Sequence, residues 1–125
     1  MGRGTEIGRV RGLGAAKTGV HHWWLQRVTA IANLLLVVWF IVSLVRLPDL
    51  GHKTVTDWIG QPLVAVPLIL FVVSVFWHLR LGLQVLIEDY LHEGAKVASL
   101  LALNAFAVAG GFVGVFSILK IALGA

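Results

Sequence analysis

His78 stands inside a long apolar stretch running from Phe71 to Tyr90, with Arg80 two residues further on and an acidic-aromatic pair, Asp89 and Tyr90, at its end. Each residue type brings a distinct capability. An imidazole offers a ligand nitrogen and a proton that titrates near neutrality, a guanidinium offers five donors, and a carboxylate beside a phenol offers an acceptor next to a donor. At membrane depth an ionisable side chain costs about 3 kcal/mol or more, so such groups are expected where they find a partner or do chemistry.

Composition sets the depth. The chain has 125 residues, 58% of them hydrophobic and only 13% charged, with a mean hydropathy of +0.91. That is too apolar for the surface of an ordinary soluble domain. Three stretches, about 28–47, 63–87 and 97–123, are long enough to cross about 30 Å of hydrocarbon. The expected fold is an all-α membrane protein with three transmembrane helices (28–125), preceded by a basic N-terminal arm and interfacial segment (1–27). Cysteine is absent, which removes disulfides, thiolate metal sites and iron-sulfur ligation by this chain. Arg3, Arg9, Arg11, Lys17 and Arg27 precede the first span and Lys96 lies in the second loop, whereas Arg46, Lys53 and Lys120 mark the other side. The positive-inside rule then places the N-terminus and second loop in the cytoplasm. The first apolar run lies behind the basic arm and is too long for a signal-peptide core, so it reads as a retained span.

Helical geometry divides the second span into faces. At 100° per residue, Ser74, Gly82, Val85 and Asp89 fall within about 40° of His78, while Arg80 lies roughly 200° away. Small residues one turn either side of His78 leave clearance for a flat macrocycle on the imidazole, or equally for a neighbouring helix hydrogen-bonded to it. Bis-histidine haem ligation needs two imidazoles. His21, His22, His52 and His92 all lie near or outside the expected interfaces, so a second ligand would come from another chain. Tyr90 is about 18 Å beyond His78 along the helix and rotated by about 120°. There its phenol can donate to a carbonyl and Asp89 can orient a donor or relay a proton; a belt tyrosine and a helix-end carboxylate are the structural alternatives. Asp89, Glu88 and Glu93 are poorly placed for the dipole of a helix ending there, which favours a partner for them.

Elsewhere the chemistry is thinner. Trp23 and Trp24 beside His21 and His22 fit an interfacial belt. Arg27 either pairs bidentately with carboxylates at the mouth of the bundle or snorkels as a border arginine. Gly12-Leu13-Gly14-Ala15-Ala16-Lys17-Thr18 has alanine, not glycine, immediately before its lysine and no apolar strand feeding it, so it resembles a phosphate loop only superficially. A basic arm lying on the membrane or against a partner fits it better. The connection from Pro48 to Pro62 is expected to be a polar, turn-forming loop without chemistry. In the third span Ala107, Gly110, Gly111 and Gly114 recur at helical spacing, which suits close helix packing. Arg80 is left needing a partner, in Gln84, lipid or another subunit.

Gly19-Val20-His21 with Arg27-x-Thr29-Ala30-Ile31, followed by His78-x-x-x-Gly82-x-Gln84-Val85-x-x-x-Asp89-Tyr90, resembles the small membrane anchor subunit of succinate dehydrogenase, of the cytochrome b556 type. The likeness runs over the whole chain. It implies half of a heteromeric anchor bundle in the bacterial inner (cytoplasmic) membrane, or in the equivalent mitochondrial inner membrane. Its partners would be a larger cytochrome b anchor, an iron-sulfur subunit and a flavoprotein that oxidises succinate. It implies His78 as an axial ligand of haem b, with the second ligand from the other anchor, and Arg27 near the haem propionates. It implies Tyr90 as the hydrogen-bond donor to a ubiquinone carbonyl, with Asp89 beside that site. A competing class is a small homo-oligomeric proton or ion conductor that uses His78, Arg80 and Asp89 as a pathway, with Arg80 as its main support.

Overall fold

The computed structural model describes Ile7 and residues 19–124. The basic arm expected before Gly19 lies, apart from Ile7, outside the described residues. Four helices follow in order: α1 Gly19–Val45, α2 His52–Ile59, α3 Pro62–Tyr90 and α4 Glu93–Ala122. Three of them, α1, α3 and α4, are long and apolar enough to cross a membrane. At 1.5 Å per residue the 29 residues of α3 reach about 43 Å, so its ends extend past the hydrocarbon.

The helices outrun the apolar stretches that announce them. α1 begins at Gly19 and not near Val28, carrying His21, His22, Trp23, Trp24 and Arg27 as one continuous helix into the span. Nothing in that segment breaks a helix: it holds no proline, and Leu25, Gln26 and Arg27 are good helix formers. α3 opens with Pro62 at its first turn, where a missing N–H costs nothing, and runs on through Pro67. Only Leu91 and His92 separate α3 from α4. That reversal is sharp enough to put Glu93 in the left-handed region, at a φ of 52°, a conformation that costs a non-glycine residue about 1 kcal/mol.

The connection between the first two spans is not the plain loop that its polar residues suggest. Leu50 and Gly51 lead into α2, an amphipathic helix of about two turns at the end of the bundle. Asp49 accepts the Gly51 N–H at 2.7 Å, which holds its carboxyl below the usual value of 3.8. Lys53 and Asp57 pair at 2.8 Å on the exposed side, and this hydrogen bond raises the Lys53 ammonium above 10.5. The opposite side delivers Trp58, 8% exposed, whose ring stacks on Trp39 at 6.3 Å and meets Phe40 at 6.1 Å. With Val64, Ala65, Leu68 and Ile118 it forms a core that ties all four helices together at this end.

α3 is the central helix. It packs on α1 along one side and on α4 along another, and the backbones of α1 and α4 make no close approach among the described residues. The α3–α4 contact depends on two glycines. A Cβ at Gly110 would sit 2.5 Å from the Phe76 ring, and one at Gly114 would sit 2.8 Å from Val72. A Cβ at Gly111, between them, would meet nothing within 4 Å. Gly110→Ala and Gly114→Ala should therefore each destabilise the bundle by about 1–3 kcal/mol through overpacking, with Gly111→Ala neutral or slightly stabilising. Thermal unfolding in a mild detergent, followed by circular dichroism, reads the difference.

Candidate functional site

Two contacts set the register of α1 against α3. Thr29 Oγ1 lies 3.3 Å from His78 Nδ1, and Asn33 Nδ2 donates to the Ser74 carbonyl at 3.4 Å. Thr29 and Asn33 are one turn apart on α1, as are Ser74 and His78 on the antiparallel α3, so the two contacts are successive rungs of one seam. The half-buried His78 thus faces a neighbouring helix through Nδ1. The clearance expected around it persists on the other side, since a Cβ on Gly82 would meet no atom within 4 Å. Ser74 Oγ and Asn33 Oδ1 are buried on the same seam without a hydrogen-bond partner, as is Nε2 of His22. His22 falls two turns before Thr29, on the same face of α1.

Arg80 has a partner that none of the expected candidates supplied. Its Nε donates to Asn104 Oδ1 on α4, and its guanidinium lies over the Trp77 ring at 5.3 Å. The Asn104 amide is held for this task, because its Nδ2 donates to the Leu100 carbonyl at 2.8 Å and leaves Oδ1 facing α3. Gln84 bonds instead to Glu88, at 3.0 Å. Trp77, Arg80 and Asn104, with Gly111 and Phe112, line an open groove of about 470 Å³ between α3 and α4. This groove lies on the side of α3 away from His78.

The remaining candidates sit toward the Tyr90 end. In the Thr29–His78 register, Arg27 is only about 3 Å along the axis from the level of His78. It is exposed, with its guanidinium 5.4 Å from the centre of the Trp23 ring. Asp89 is exposed and Tyr90 is 75% exposed, at the last turn of α3. The structure therefore gives two levels, one around His78, Thr29 and Arg27, and one at Asp89 and Tyr90. Among the described residues no three His, Asp or Glu side chains come together as a metal-binding group.

Comparison with known proteins converges on one family. Residues 1–118 match the model of the succinate dehydrogenase/fumarate reductase transmembrane subunit. The chain belongs to that family. Similar proteins include the succinate dehydrogenase hydrophobic membrane anchor subunit of Rickettsia bellii (strain RML369-C), 33% identical over 83% of this chain and 90% of the relative. The protein of the same description from Paracoccus denitrificans is 29% identical over 91% of this chain and 88% of its own. The succinate dehydrogenase membrane anchor subunit of Reclinomonas americana is 33% identical over 74% and 80%. No solved structure matches the chain.

Thr29 and Asn104 make interhelical contacts that residue-type reasoning does not single out. Thr29 was already inside the Arg27-x-Thr29-Ala30-Ile31 motif, and Asn33 and Asn104 are lone amides in apolar spans, where any polar side chain must find a bond. For this family member, Asn104→Leu should destabilise the bundle by stranding the Arg80 guanidinium. A double-mutant cycle with Arg80→Leu, measured by thermal unfolding in detergent, should return a coupling of about 1.5–3 kcal/mol, the range for a hydrogen bond to a charged group.

Proposed function

We propose that this chain is the small membrane anchor of a succinate:ubiquinone oxidoreductase, sharing a haem b at His78 with a second anchor chain and contributing Tyr90 and Asp89 to the ubiquinone site. The observation that carries this is the surroundings of His78 in a member of this family. One ring nitrogen is engaged by α1, while open space at Gly82 and the unpartnered Ser74 hydroxyl lie one turn to either side. A single imidazole with clearance beside it suits an iron held between two chains better than a metal held within one. The residues present therefore fit a haem, and Arg27, near the level of His78, is the group to pair with propionate carboxylates. Haem b, when bound, supplies a one-electron redox centre inside the bilayer.

The rest of the work is placement. Tyr90, exposed at the end of α3, donates its hydroxyl hydrogen bond to a quinone carbonyl, and Asp89 beside it orients a donor or passes a proton from the aqueous side. Electrons reach the quinone from an iron-sulfur subunit docked on that side, and succinate is oxidised on a flavoprotein subunit. With the positive-inside bias, that side is the cytoplasm of a bacterium, and the membrane is its inner membrane. α1 supports a second anchor chain: it has no buried residue, and Leu34, Leu35 and Val38 are all more than half exposed. A proton conductor running through His78, Arg80 and Asp89 loses its main support, because Arg80 is tied to Asn104 on the far side of α3.

Purifying the tagged chain in mild detergent should bring three further chains and a reduced-minus-oxidised haem spectrum, which His78→Ala abolishes. Copies of this chain alone, without colour, would contradict the assignment. In the purified complex, Tyr90→Phe should lower quinone reduction about tenfold, the equivalent of one hydrogen bond, and leave succinate oxidation by an artificial acceptor unchanged.

A further inference from the structure

We infer that Thr29 sets the tautomer of His78, and so decides that Nε2 is the ring nitrogen with a lone pair to give. The inference rests on His78 as an iron ligand and names the residue of this chain that positions it. A threonine hydroxyl has one proton. Thr29 Oγ1 lies 2.8 Å from the Leu25 carbonyl and 3.0 Å from that of Gln26, but 3.3 Å from His78 Nδ1. The proton belongs to the shorter, in-helix contacts, the usual back-bond of a threonine in a span. The hydroxyl then has only lone pairs to offer the imidazole. Nδ1 must carry the ring proton and donate it to Oγ1, and a neutral imidazole has no second one.

The reverse tautomer meets a physical obstacle. It would set an Nδ1 lone pair against the oxygen lone pairs, or pull the Thr29 proton off its carbonyls with no water in the hydrocarbon to replace it. A second interhelical hydrogen bond holds the geometry in place, since Asn33 Nδ2 donates to the Ser74 carbonyl on the same seam one turn away. A metal-bound histidine whose other N–H is hydrogen-bonded is fixed in orientation and made more basic. Thr29 is thus a positioning residue, contributed by a different span from the ligand it positions.

Thr29→Val keeps the branched shape and removes the acceptor. In the purified complex it should lower haem affinity about 10- to 100-fold, the usual range for such supporting contacts. The low-spin electron paramagnetic resonance signal should change with ring orientation, and the haem midpoint potential should rise because a less basic ligand favours reduced iron. Thr29→Ser should restore all three. A Thr29→Val complex with wild-type haem content, resonance signal and potential overturns the inference. His78→Ala separates the two levels: if it loses the haem while Thr29→Val stays like wild type, only the role of Thr29 falls. If His78→Ala keeps the haem spectrum, the ligand assignment falls and Thr29 with it. Should the valine variant fail to assemble, Thr29→Ala takes its place with the same outcomes.

Discussion

Hydrocarbon offers no hydrogen bonds, so the ionisable groups within the span of the central helix need answering groups on other helices. α3 carries two ionisable side chains within its span, and the structure answers them in the same way from opposite sides. Thr29 on α1 and Asn104 on α4 each tie a donor to a carbonyl of their own helix, at 2.8 Å in both cases, and present an oxygen to α3. His78 meets the first oxygen and Arg80 the second. The roughly 200° between these residues on the helix explains why two neighbours are needed, and why α1 and α4 pack on different sides of α3.

Glycine divides what is packed from what is open. Gly110 and Gly114 draw α4 against Phe76 and Val72, and α2 closes the far end with Trp58. Gly82 and Gly111 face empty space, the first next to His78 and the second in the groove beside Arg80. The bundle is thus close-packed where its helices bear on one another and open beside His78 and Arg80. α3 runs unbroken between the His78 level and the Tyr90 level, about 18 Å along one helix.

Much of this was legible in the residues themselves. Three spans, their helicity, the small residues on the His78 face and the close packing implied by glycines in the last span all follow from hydropathy and a 3.6-residue period. These are local properties, set by the bilayer and by backbone geometry. In the connection from Pro48 to Pro62, polar residues mask a short amphipathic helix whose buried side is defined only once Trp39 and Phe40 are there to receive Trp58. Spacing along α3 offers Arg80 only Gln84, which bonds to Glu88 instead, while its partner Asn104 lies twenty-four residues away.

The amino-acid sequence by itself determined that this chain crosses the membrane as helices and that His78, Arg80, Asp89 and Tyr90 are the groups to explain. Tertiary structure alone decided which oxygen answers which cation or imidazole. The reason is that such pairings depend on the register of one helix against another. That register is fixed by close contacts such as Gly110 on Phe76 and Asn33 on Ser74, which join residues far apart in the chain.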